Sequence, residues 1–278
     1  MRLFAISDCH RDMRAAAGLL ASDGWCATLP LSDTSDVDVV ILAGDIDRGT
    51  KGLAWAGRES DRLGLPVLYV PGNHEFYGYD IDRTRETMRL EAARYPLLHF
   101  LDNDEALIDG VRFLGTTLWT DYRAWRGDAE GNMEVARMNI ADHHLIHRGG
   151  RLFAPREALA LHKAARRFLE EHLARPFDGP TVVVTHHGPS LLCQHPAYPP
   201  SPVSAAFQSD LDDLILRHQP ALWIFGHTHA AVDDRVGDTR IYSNPEGYPG
   251  EIIARPDGFD PLEAIEIDRR FPATSTIR

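Results

Sequence analysis

Cysteine is scarce. The 278-residue chain has 3, Cys9, Cys26 and Cys193, too few and too scattered for a disulfide framework or a thiolate zinc site. A reducing, cytoplasmic location is the expectation. Long apolar runs are missing too: no stretch reaches the ~18 uninterrupted apolar residues of a membrane span. Met1 to Ile6 lacks the basic segment and long apolar core of a secretion signal, so a soluble protein without membrane contacts is expected. Positive charge is in deficit, with 29 Lys plus Arg against 41 Asp plus Glu and a net charge of −12. That argues against capture of long nucleic acid or anionic lipid. No internal repeat, low-complexity tract or block of like charge occurs. Oligomeric state leaves no trace in the sequence.

Hydrophobic residues make up 44% and charged residues 25%, ordinary globular usage that excludes a disordered chain or a fibre. The 14 histidines are the compositional oddity, and beside many carboxylates they point to metal. Short apolar runs recur at Leu3 to Ile6, Val37 to Ala43, Pro66 to Val70, Val111 to Gly115, Thr181 to Val184, Ala221 to Phe225 and Ile241 to Tyr242. Their brevity and β-branched content favour buried strands. Helical character lies between the first three, at Asp12 to Leu20 and Thr50 to Leu63, the alternation of βαβ units in a layered α/β fold. A single domain over 1–278 is expected, with a cap or insertion over about 76–150, where the pattern loosens into an Arg-rich helical stretch (Ile81 to Tyr95) and a Trp- and Asn-bearing segment (Leu118 to Ile140). Pro155 opens a further helix to Ala174. The prolines from Pro196 to Pro202 mark an irregular loop, and the polar tail after Asp268 is expected to be loose.

Five apolar runs each end in potential metal ligands: Asp8-Cys9-His10, Gly44-Asp45, Gly72-Asn73-His74-Glu75, His186-His187 and Gly226-His227-Thr228-His229. In open α/β sheets ligands gather beyond the carboxyl ends of the strands, so these distant loops should converge. Two cations about 3.5 to 4 Å apart need a bridging carboxylate with oxygen or imidazole on each side. Asp45 is the candidate bridge. Asp8 with His10, and His227 with His229, share a spacing of two and can clasp ions together. Glycines 44, 72 and 226 let the backbone turn just before the ligands. Cys9 should point away into the core. His186 directly follows its strand, and His187 is the adjacent alternative.

In this order the motifs resemble those of the calcineurin-like metallophosphoesterase superfamily, over residues 3 to 229. The resemblance implies a layered β-sandwich of mixed sheets flanked by helices. It also implies one metal on Asp8, His10, Asp45 and His229, a second on Asp45, Asn73, His186 and His227, and His74 beside the substrate phosphate. The second motif departs from the common Gly-Asp-x-x-Asp or Gly-Asp-x-x-Gly: Gly44-Asp45-Ile46-Asp47-Arg48 has Arg in the last place, which leaves open whether Asp47 orients His74.

The implied activity is hydrolysis of a phosphomonoester or phosphodiester by in-line attack of a metal-bridging hydroxide, with His74 a candidate acid toward the leaving group. An N/O ligand set suits two Mn, Fe or Zn ions. A small phosphorylated substrate fits the acidic charge, with discrimination expected in the cap and the proline loop. Arg48, His143, His144 and Arg148 are candidate substrate contacts, and Asn244-Pro245 with Gly247 reads first as a turn and second as a lip of the site. The competing reading is a non-catalytic binding or scaffold protein on the same fold. Hydrolases of other bonds are disfavoured, because neither His-x-His-x-Asp-His nor His-Glu-x-x-His occurs.

Overall fold

The apolar runs sort into two sheets packed face to face. The structure, a computed structural model, describes residues 1–19, 28–31, 36–125, 127–251, 260 and 263–268. Cys26, Leu20 and the tail after Asp268 lie outside them. In the first sheet β1 (Arg2–Ile6), β2 (Val39–Ala43), β3 (Val67–Val70) and β4 (Leu98–Phe100) are parallel, with β13 (Ala264–Glu266) antiparallel beside β1. In the second, β6 (Val111–Thr116), β9 (Thr181–Thr185), β10 (Leu222–Ile224) and β12 (Thr239–Ser243) are parallel. Its antiparallel edges are β5 (Asp104–Ile108) and β11 (Val232–Val236).

Side-chain alternation builds the layers. Leu3, Ala5, Val39, Ile41, Leu68 and Val70 face Phe113, Val182, Val184 and Ile224 across the sandwich. Their strand neighbours Phe4, Ile6, Val40, Leu42 and Tyr69 point outward onto α2 (Lys51–Leu63) and α3 (Ile81–Ala92). Cys9 joins that outer cluster, as expected. On the far side Leu114, Val183, Trp223 and Ile241 pack on α6 (Pro155–Leu173) and α7 (Asp212–His218). The result is a mixed α/β fold of two sheets flanked by helices. No helix among the described residues is long and apolar enough to cross a membrane.

The stretch from 76 to 150 is not uniform. β4, β5 and β6 within it belong to the two sheets, and only its ends form a separate layer. That layer gathers Phe76, Tyr77, Ile81, Trp119, Tyr122, Met133, Ala136 and Ile146 around Phe153. It includes α4 (Ala129–Asn139), α5 (Asp142–Leu145) and the short hairpin β7 (His147–Arg148) with β8 (Arg151–Leu152). The edge strand β5 is mostly exposed, with only Ala106 buried. The first expected helix is short, α1 (Arg11–Ala16).

Candidate metal centre

The strands that carry candidate ligands are parallel to one another within each sheet, β1, β2 and β3 in the first and β9 and β10 in the second, so the loops that follow open on one edge of the sandwich. Backbone hydrogen bonds lock them together. Asp8 N donates to Gly44 O and His10 N to Asp45 O, both at 3.0 Å, while Gly226 N donates to His186 O at 2.9 Å. The loop after β12 is stitched on by Glu246 N to Ser7 O and Gly247 N to Asp8 O, each 3.0 Å. Arg14 pins the same loop from below, through Glu246 at 2.6 Å and Gly247 O at 3.0 Å. Asn244 and Pro245 are bound to the strand end at Ala5 and Ser7, and Tyr248 and Glu251 beyond them line the cavity.

Three groups of ligand atoms each lie within 4.8 Å of one another: Asp8, His10 and His229; His10, Asp45 and His74; Asp45, His186 and His227. Asp45 joins the last two. Its Oδ1 is 3.3 Å from His186 Nε2, and its Oδ2 is 3.9 Å from Nε2 of both His10 and His74. Getting these side chains to one point strains the backbone. Asp8, His10, Asp45, His227 and His229 all have positive φ, from 42° to 68°, at roughly 1–2 kcal/mol each for a non-glycine residue. Strain of this kind collects at working sites. Gly72 serves the same crowding: a Cβ there would overlap the Asp45 carboxylate.

The hydrogen-bond directions fit cations. His186 Nδ1 lies 2.9 Å from the carbonyl of Ala43. A carbonyl only accepts, so Nδ1 carries the proton and Nε2 faces inward, 3.0 Å from Asn73 Oδ1. Asn73 spends its NH₂ on Tyr77 (3.0 Å) and Asp142 (2.8 Å), which aims its carbonyl at the centre. His229 Nδ1 pairs with Glu251 at 2.6 Å, leaving Nε2 3.5 Å from Asp8 Oδ1 and 3.2 Å from His10 Nε2. Acceptor atoms thus converge on acceptor atoms, an arrangement that a cation or a proton between them relieves. With imidazole nitrogen, carboxylate and amide oxygen and no thiolate, the donors suit two transition-metal ions.

In the protein alone protons take that place. Burial would lower both imidazoles, but Asp45 lifts His186 to about 9, and Asp8 with Glu251 lifts His229 to about 10. Burial would likewise raise Asp8 and Asp45, yet His229 and His186 hold them below the ordinary carboxylate range. His10 and His227 are pushed down by burial, His10 to about 3. Metal must therefore expel protons. Uptake of Mn²⁺ at pH 7.5 should release roughly two protons, read as the buffer dependence of the binding enthalpy. Because both shifts are upward, the stabilisation these protons give the metal-free protein is full below the ordinary pKa of 6.5 and is lost as pH rises through about 9 to 10. Metal affinity rises over the same window. Binding enthalpies identical across buffers would refute this.

Glu75, unassigned by the sequence, is the hub beneath the ligands. Its carboxyl accepts from the amides of Asp45 (3.1 Å), Ile46 (2.9 Å) and Gly72 (2.8 Å) and from Tyr69 OH (2.8 Å). Burial and the Asp45 charge push it up to about 8, against those bonds. Glu75→Ala would orphan all these donors. A loss of about 3 kcal/mol or more is expected from urea unfolding, and an unchanged midpoint would show the hub to be dispensable.

The neighbouring His187 turns away: its Nδ1 donates to Thr117 O (3.1 Å) and its ring lies on Trp119 and His227. His74 sits between the rings of His10 (4.4 Å) and Tyr77 (4.1 Å). Its buried Nδ1 has no hydrogen-bond partner, and Asp47 instead accepts from Arg48 N and faces Arg11. Tyr248 lies over His10 with its hydroxyl 3.4 Å from His74 Nε2. The remaining candidates stand apart. Arg48 is tied to Asp12 (2.7 Å) and Arg148 to Asp82 (2.9 Å); His143 is buried between Phe153 O and Tyr122, and His144 is exposed. None of these four lines the cavity that opens from the ligands. Asp142, Tyr248 and Glu251 do, and sequence offered no signal for the last two beyond a turn.

Similarity to known proteins agrees with this geometry. A viral protein of unassigned function, protein L509 of Acanthamoeba polyphaga mimivirus, is 25% identical over 255 residues, 85% of this chain and 86% of its own length. Among solved structures, the phosphopantetheinyl hydrolase of Mycobacterium tuberculosis superposes with a TM-score of 0.66 at 19% identity, covering 89% of both chains; at that identity the likeness is one of fold. The family model for calcineurin-like phosphoesterases matches residues 1–231, which span all five ligand loops, and the chain belongs to that family.

Proposed function

We propose that this protein hydrolyses a phosphoric ester with a pair of transition-metal ions, Mn, Fe or Zn, on a small phosphorylated substrate. Asp8, His10, Asp45 and His229 would hold one ion, and Asp45, Asn73, His186 and His227 the other. The observation that carries this reading is the position of Asp45, whose two oxygens face different imidazoles, His186 on one side and His10 on the other. When bound, the pair supplies a water acidic enough to react near neutral pH and neutralises phosphoryl oxygens.

The chain's own residues do the rest. Ala43 O and Glu251 fix the ring orientations of His186 and His229. Asp142 and Tyr77 hold the Asn73 carbonyl inward. His74, packed between two rings, is placed to give a proton to the departing oxygen, with Tyr248 OH in hydrogen-bond reach of it. In-line attack by that water would need no covalent intermediate.

The test is hydrolysis of bis- and mono-(4-nitrophenyl) phosphate by purified protein with added Mn²⁺, beside elemental analysis. Turnover that follows metal content supports the reading. Activity that survives metal stripping refutes the metal mechanism, and a protein that takes up no metal and turns over neither ester is a scaffold.

A further inference from the structure

The metal-facing side chains form the floor of a larger cavity, of about 650 Å³. A phosphoryl group fills only a small part of such a space, so the walls must meet the organic part of the substrate. One wall is Ile140 and Ala141, between α4 and α5; the other is the proline-rich loop, with Tyr198, Pro199, Val203 and Phe207. Neutral polar groups interrupt them. Gln208, buried, donates through Nε2 to Gln194 Oε1 at 3.3 Å and keeps an Oε1 that accepts no hydrogen bond.

Charge decides what kind of arm fits. No Lys or Arg is among the described residues that line the cavity, and Asp142 and Glu251 are. Glu251 is already paired with His229, and Asp142 already accepts from Asn73 and Tyr77, so an arm bearing a second phosphate would leave water beside these carboxylates with no described Lys or Arg of the lining to meet it, which is costly. Apolar carbon would gain from the same walls.

We propose that the substrate is an ester whose organic arm is uncharged and partly apolar, that this cavity receives the arm, and that nucleoside polyphosphates and other multiply phosphorylated arms are excluded. The proposal rests on the phosphoesterase reading, and binding of non-hydrolysable probes separates the two. Full-length Mn²⁺-loaded protein is titrated with methylphosphonate, hexylphosphonate and hexane-1,6-diyl bisphosphonate. Hexylphosphonate should bind at least about tenfold more tightly than methylphosphonate and at least about tenfold more tightly than the bisphosphonate. Ala141→Lys, an exposed substitution on the cavity wall, should narrow the second ratio severalfold. If methylphosphonate binds but the hexyl arm adds nothing, or the bisphosphonate binds as well as hexylphosphonate, the cavity assignment is overturned while the metal site stands. An unchanged ratio in Ala141→Lys overturns the charge argument. Failure of all three probes to bind metal-loaded protein sinks the phosphoesterase reading itself, and the inference with it.

Discussion

Asp45→Asn should reduce turnover of an aryl phosphate by about 10³-fold or more and lower the metal content of the purified protein. The carboxylate has three tasks at once. Its Oδ1 accepts the amide of His74 at 2.9 Å and faces His186, while its Oδ2 faces His10 and His74. An amide keeps the volume but loses the negative charge, and one of its two ends becomes a donor aimed at imidazoles. The fold should survive, since the Asp45 backbone bonds to Glu75 and His10 are untouched. Circular dichroism and elemental analysis on the same preparation separate loss of metal from loss of structure. Full activity with normal metal content would remove Asp45 from the mechanism.

The second large effect is expected at His74. Truncation to Ala removes a ring that packs on His10 and Tyr77 but leaves Asp45, Asn73 and His186 in place. If the ring delivers a proton to the leaving oxygen, kcat falls by about 10² to 10⁴ with metal content unchanged. The loss should depend on the leaving group: large for an alkyl ester, whose alkoxide needs the proton, and small for 4-nitrophenyl, which departs unprotonated. A uniform loss across leaving groups would assign the ring to binding. Its contacts are the rings of His10 and Tyr77 and the Tyr248 hydroxyl; Nδ1 is unpartnered, and Asp47 is engaged by Arg48 N and Arg11.

The convergence of Asp8, His10, Asp45, His186, His227 and His229 was legible because each follows an apolar run, and parallel strands deliver such positions to one edge whatever their separation in the chain. The choice between His186 and His187 was not. Consecutive residues point to opposite sides, so the decision fell to the two carbonyls available, Ala43 O for one ring and Thr117 O for the other. Arg48 and Arg148 illustrate a different limit. Both are plausible phosphate clamps by type, yet each has an acidic partner brought near only by folding.

The range 76–150 expected for a cap also holds β4, β5 and β6, which belong to the two sheets. Edge strands bury one face or none, and β5 opens on exposed Asp104 and Glu105 and buries only Ala106, so its pattern does not alternate as that of a half-buried strand does. Composition and periodicity by themselves determined the layered α/β class, the buried strands and the ligand types, because hydrophobic alternation and side-chain chemistry are local properties. Only tertiary structure decided that Glu75 underlies the ligands, that Asp142 aims Asn73, that Tyr248 and Glu251 reach the site from the far end of the chain, and that the cavity walls carry no lysine or arginine among the described residues. Those facts depend on which hydrogen-bond partners long-range packing brings within about 3 Å, and no spacing along the chain encodes that.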